Sequence, residues 1–124
     1  DFDVMAQQLR QLLRTLLRQE GLRPEQIAVL SPSRPDNPAS TWRAGLDEVK
    51  ATTELAAGRT GHVRIGTIQG FKGLEADVVI LVGLTSKAAA RPDWLYVGAS
   101  RARAALYLLA LEDTALAFDA SSTS

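Results

Sequence analysis

The chain has 124 residues, 46% hydrophobic and 23% charged, the size and balance of one globular domain able to bury a core. Lys+Arg and Asp+Glu number 14 each, so no whole-domain field draws in nucleic acid, and any phosphate contact has to come from local placement. There is no Cys, which excludes a disulfide scaffold and any thiolate site, and the longest apolar run, Val78 to Leu84, is far too short to span a bilayer.

Residues 3–19 carry the first pattern. Met5, Leu9, Leu12, Leu13, Leu16 and Leu17 recur at helical spacing, with Gln7, Gln8, Arg10, Gln11, Arg14 and Arg18 on the other face. The spacing predicts an amphipathic helix that Asp3 caps and Gly21 ends, with Pro24 barring continuation. IAVLS (27–31) reads as a short strand closed by the breaker SPSRP. From Arg34 to Gly61 the signal weakens: Pro35, Asn37 and Pro38 mark a loop, and AGLDEVKATTELAAG permits a helix with Leu46, Val49 and Leu55 inward. VRIGT (63–67) and DVVILVGL (77–84) read as strands, the second without polar alternation, as in a strand covered on both faces. PDWLYVGASRARA returns to helical pattern, ALYLLAL (105–111) is a last buried-type strand, and EDTALAFDASSTS makes one turn and frays.

This alternation predicts an α/β fold with a mainly parallel sheet and helices on both faces. Ligands then gather where loops leave the strand C-termini, which here are SPSR and IQGFKGLE. Neither G-x-x-x-x-G-K-[ST] nor G-x-G-x-x-G occurs, so the chain has no phosphate-cradling P-loop of its own. His62 is the lone histidine, without a metal-ligand or catalytic constellation, and reads as a loop residue. No metal site is expected.

TIQGFKGLEADVVIL (67–81) and LYVGASRARAALYLL (95–109) together resemble motifs V and VI of the UvrD/Rep-type superfamily 1 DNA helicases. Both belong to that family's second, C-terminal RecA-like motor domain, the one without the P-loop, and IAVLSPSR resembles the strand and loop that open its core. The resemblance covers about Ile27 to Leu111. It implies a RecA-like domain over 1–118 with a disordered tail at 119–124, compact because only about thirty residues separate Ser33 from Val63, where larger relatives insert an accessory domain.

The resemblance also implies roles. Arg101 is the arginine that crosses the interdomain cleft to the ATP γ-phosphate, where a planar, permanently charged guanidinium offsets charge growing in the transition state, worth roughly 10³ to 10⁵ in rate. Glu75 accepts hydrogen bonds from the ribose hydroxyls, and Gly73 lets the backbone approach the nucleotide. Lys72 pairs with a phosphate or the motor partner, or is a surface cation. Thr67 and Gln69 contact single-stranded DNA, Gln69 standing where histidine is usual. Ser31, Ser33 and Arg34 contact the DNA backbone through donors that carry no sequence information, unless Ser and Pro there serve only the turn. Trp94 sits at helical spacing with Val97 and reads as core, and Trp42 is left open as core or base-stacking platform.

The function implied is that of the C-terminal motor half of an ATP-dependent helicase or translocase. ATP and Mg²⁺ are then held mainly by an N-terminal P-loop domain outside this sequence, which opens DFDVMAQQ without an initiator Met and reads as an excised domain. Alone it is expected to lack ATPase activity. Partners are single-stranded DNA and that N-terminal domain, with no membrane. Lack of Cys and of a secretion-type leader makes the cytoplasm the expected location. The rivals are a non-catalytic, degenerate motor-like docking module, kept alive by the balanced charge and Gln69, and a flavodoxin-like or receiver-like domain, whose acidic cluster or flavin loops are missing.

Overall fold

The computed structural model describes residues 2–32, 41–84 and 102–110. Helix α1 (Phe2–Arg14) runs into a π-helical turn (Thr15–Gln19), then a 3-10 turn (Pro24–Gln26) and strand β1 (Ile27–Ser31). A second 3-10 turn (Thr41–Leu46), β2 (Ala51–Thr52), β3 (Val63–Thr67), β4 (Ala76–Leu84) and β5 (Ala102–Ala110) follow. The strands form one sheet in the order β2-β3-β1-β4-β5, and every neighbouring pair is parallel. This is the α/β, RecA-like arrangement with a mainly parallel sheet.

The apolar stripe of α1 dictates where it lies. Met5, Ala6, Leu9, Leu13 and Leu16 are all buried, against Ile27 and Val29 of β1, Val63 and Ile65 of β3, and Val78, Ile80 and Val82 of β4. The alternate residues, Ala28 and Leu30 with Val79 and Leu81, face the other way onto Ile68 and Phe71. Strands covered on both faces need no polar alternation, which is why β4 is apolar almost throughout. At Thr15 the hydroxyl donates to the Gln11 carbonyl, the acceptor that an α-helical Thr15 N–H would use, and the ladder widens from that residue on. Gly21 then takes φ +71°, and the Leu22 N–H closes the end on the Leu16 carbonyl.

The second 3-10 turn lies against α1. A Cβ on Gly45 would stand 2.3 Å from the Ala6 carbonyl oxygen, an approach that only glycine allows. Arg10 Nε donates to Asp47 at 2.8 Å and Arg14 Nε to Glu48 at 2.7 Å, so the polar face of the helix is pinned to the same turn.

Several expectations are corrected. The helix starts at Phe2, so Asp3 lies within its first turn rather than ahead of it. The helix allowed over 44–58 is replaced by the 3-10 turn, the short β2 and further turns. Poor periodicity underlies this: Leu46 packs on the α1 side, Leu55 on the opposite one. Strand β5 begins at Ala102, so Arg103 and Ala104 are strand, not helix. Among the described residues α1 covers one face, and the loop between β3 and β4 and Leu55 pack on the other; most of the helix expected over 92–104 lies outside the described residues.

Candidate functional site

The loop from Ile68 to Glu75 leaves the C-terminal end of β3 and must reach the N-terminal end of β4. Since β1 lies between those strands, it crosses the face of β1 on the way. Its sequence is built for that path. Ile68 and Phe71 are almost fully buried, while Gln69, Lys72, Gly73 and Glu75 are exposed. The backbone closes on itself in overlapping turns: Phe71 N–H to Thr67 O at 3.2 Å, Lys72 N–H to Gln69 O at 3.1 Å, and Leu74 N–H to Phe71 O at 3.0 Å. Gly73 has φ +86° with nothing within 4 Å of a Cβ, so glycine is required by conformation and leaves the backbone open on that side.

Its two ends therefore lie at opposite edges of the sheet. The C-terminal edge holds Ser31 and Thr67, which are register partners in β1 and β3, and Gln69 beyond them. The Ile68 N–H donates to the Ser31 carbonyl at 3.0 Å, joining the loop to β1. The Thr67 hydroxyl accepts from the Gly70 N–H at 2.8 Å and holds the first turn. A Cβ on Gly70 would sit 2.8 Å from that hydroxyl, which explains a glycine there without any ligand. Ser31 itself is buried, 1% exposed.

The N-terminal edge holds Gly73 and Glu75. Ligands were expected at the loop IQGFKGLE where it leaves β3, and the structure divides that loop, since its KGLE half has already returned to the start of β4. There Ala76 pairs with Ala102 of β5. The residue before Ala76 in sequence is Glu75, and the residue before Ala102 is Arg101. Arg101 itself, with Ser33, Arg34 and Trp94, lies outside the described residues.

Sequence reasoning missed the polar network at this edge. Asp77 Oδ1 accepts from Arg103 at 2.8 Å, and its Oδ2 accepts from Gln26 Nε2 at 2.7 Å. Gln26 in turn accepts the Arg23 N–H at 2.8 Å, so the starts of β1, β4 and β5 are tied together. Arg64 of β3 donates to the Glu75 carbonyl at 2.9 Å and the Leu55 carbonyl at 3.1 Å, and its guanidinium lies 5.1 Å from the centre of the Phe71 ring. Burial pushes its pKa down, the nearby Arg103 pushes it further, and Asp77 opposes both. The available signal was a charge inside an otherwise apolar strand, VRIGT, where a solvated residue has no reason to be.

Trp42 is 1% exposed in the core beneath α1, and a Cβ on Gly83 would come 3.3 Å from its indole nitrogen, so it is not a base-stacking platform. His62 contacts the Thr60 carbonyl at 3.1 Å, as a loop residue does. Among the described residues no three His, Cys, Asp or Glu side chains gather as a metal set. Nor is any helix among them long and apolar enough to cross a membrane.

Comparison with curated proteins finds no match. Residues 62–109 match the UvrD-like helicase C-terminal domain, a stretch running from the residue before β3 to near the end of β5. That stretch contains the crossing loop, the paired starts of β4 and β5, and both halves of the Asp77–Arg103 ion pair. Over these residues the chain is similar to the UvrD-like helicase C-terminal domain.

Proposed function

We propose that this domain supplies one wall of an ATP site shared with an N-terminal P-loop domain, and part of a single-stranded DNA track, in an ATP-dependent DNA helicase or translocase. The observation that carries the reading is the pairing of Ala76 with Ala102, because the residues just before them, Glu75 and Arg101, are the two assigned to the nucleotide.

In this reading the exposed Glu75 carboxylate accepts hydrogen bonds from the ribose hydroxyls. Gly73 leaves the backbone open to the nucleotide and Lys72 adds a cation beside it, while Arg101 meets the γ-phosphate when the two domains close. The fit of a nucleotide is supported by an exposed carboxylate and an unobstructed glycine side by side at one edge. Mg²⁺ belongs to the partner domain. At the other edge Thr67 and Gln69 are assigned to single-stranded DNA, and Ser33 and Arg34 are assigned to it as well, while Ser31, register partner of Thr67, is buried and offers DNA no side-chain surface. The Thr67 hydroxyl is occupied as an acceptor within its turn but keeps its own proton to donate to a phosphate. Because one short loop joins both edges, a shift at the nucleotide reaches the DNA contact through packed residues, Phe71 and Ile68.

The test is Glu75→Ala in the full-length protein. The Michaelis constant for ATP is expected to rise roughly tenfold or more, the scale of hydrogen bonds to a charged group, with kcat much less affected. An unchanged constant would return Glu75 to a structural role and remove the ribose contact from the account.

A further inference from the structure

Arg64 is the second residue of β3. Its neighbours Val63 and Ile65 pack towards α1, so its own side chain runs along the opposite face, where the crossing loop lies. The guanidinium there meets three separate segments: the Leu55 carbonyl from the β2–β3 connection, the Phe71 ring from the loop, and the Glu75 carbonyl at the entry to β4. No carboxylate is among these contacts. The charge is directed at two backbone carbonyls and a ring face, as charge-assisted hydrogen bonds and a cation–π contact. A planar fork reaches two acceptors in fixed directions, which a single ammonium cannot do.

The consequence falls on Glu75. Its carbonyl is held by Arg64, the next residue is paired into the sheet through Ala102, and the turn before it is closed by the Leu74 N–H on the Phe71 carbonyl. The backbone on both sides is fixed, yet the side chain is exposed and free to meet a ligand. With the backbone held this way, only the side chain has to be ordered on binding. Phe71, which Arg64 covers, is fully buried, so the loop cannot drift without exposing the ring.

We propose that Arg64 is a positioning residue that aims the Glu75 carboxylate at the sugar of the bound nucleotide and thereby sets the preference for a ribose over a sugar lacking hydroxyls. This rests on the reading of Glu75 given above. Arg64 itself touches no part of the nucleotide.

The experiment compares Michaelis constants for ATP and for 2′,3′-dideoxy-ATP in the full-length protein. It uses wild type, Arg64→Met, Arg64→Lys, Glu75→Ala and the Arg64→Met/Glu75→Ala double variant. Wild type is expected to favour ATP by roughly tenfold or more. Glu75→Ala brings the ratio of the two constants close to one. Arg64→Met lowers the ratio several-fold with kcat for ATP within about twofold, Arg64→Lys lowers it less, and the double variant matches Glu75→Ala alone. General loosening of the fold would weaken both nucleotides alike and leave the ratio intact. A wild-type ratio in Arg64→Met overturns the positioning role, while a collapsed ratio in Glu75→Ala alongside it leaves the ribose contact standing. A wild-type ratio in Glu75→Ala overturns both. If Arg64→Met does not fold, Arg64→Lys decides in the same way.

Discussion

At the scale of single residues, glycines and one threonine do much of the shaping. Gly45 lets the second 3-10 turn touch the α1 backbone, and a Cβ there would meet the Ala6 carbonyl at 2.3 Å and the Leu9 Cβ at 3.0 Å. A carbonyl inside a helix cannot move aside without breaking the ladder. Gly45→Ala is therefore expected to cost about 1–3 kcal/mol, the range for forcing extra carbon into a packed contact. Thermal or urea melting checks this, and an unchanged midpoint would contradict the close approach. Gly73 differs, being dictated by φ +86° alone, with open space where a side chain would go. From the sequence both read simply as glycine. The quoted KGLE loop pointed to Gly73, whereas nothing in AGLDEV separates a contact glycine from a turn glycine, because the contact is with a helix some forty residues away.

At the scale of elements, what was legible followed local periodicity. Strands β1 and β3 fall where their apolar runs place them, β4 starts one residue earlier, and the first helix keeps its stripe from Met5 to Leu16. The misreadings lie where tertiary contacts outvote pattern. RARA looks helical beside PDWLYVGAS, but Ala102 pairs with Ala76 and Arg103 finds Asp77, so the strand begins there. The attachment of α1 to the second 3-10 turn and the residues after it is electrostatic as well as apolar, and gives a pH dependence. Hydrogen bonding from Arg14 lowers the Glu48 pKa, while Glu25 is lowered by its own backbone N–H and that of Gly61. Their unfolded values sit at roughly 4.3. A carboxylate that binds its proton less tightly in the folded chain stabilises the fold above that range, and the stabilisation is lost as pH falls through the lower, folded value. The urea midpoint is expected to drop between about pH 5 and pH 3, and Glu48→Gln to flatten part of that drop. Because both partners are at the surface, the flattening is small and shrinks with added salt. An acid limb identical in Glu48→Gln and wild type would mean that the Arg14 pair contributes nothing.

At the scale of the whole molecule, the parallel sheet has two edges and the loop between β3 and β4 serves both. Thr67 and Gln69 stay at the strand ends where the architecture was expected to collect ligands; Gly73 and Glu75 are carried across β1 to the far side, beside the start of β5. The motifs were legible as a string, but their division between edges follows from strand order, which no local pattern encodes. A sheet ordered β3-β1-β4 forces the connection over β1, and buried Ile68 and Phe71 hold it there. Arg64 escaped notice for the same reason, since its three contacts come from segments 9, 7 and 11 residues away that only the fold brings together.

The central claim is that Arg101 completes an ATP site whose triphosphate is held by a neighbouring domain. Steady-state ATP turnover by the full-length protein, at saturating single-stranded DNA and ATP, tests it most directly in wild type and Arg101→Lys, with melting as a control for folding. The account predicts a folded variant whose turnover falls by roughly a thousandfold or more, the scale of a lost arginine finger. Turnover within a few-fold of wild type in a folded Arg101→Lys protein would contradict it.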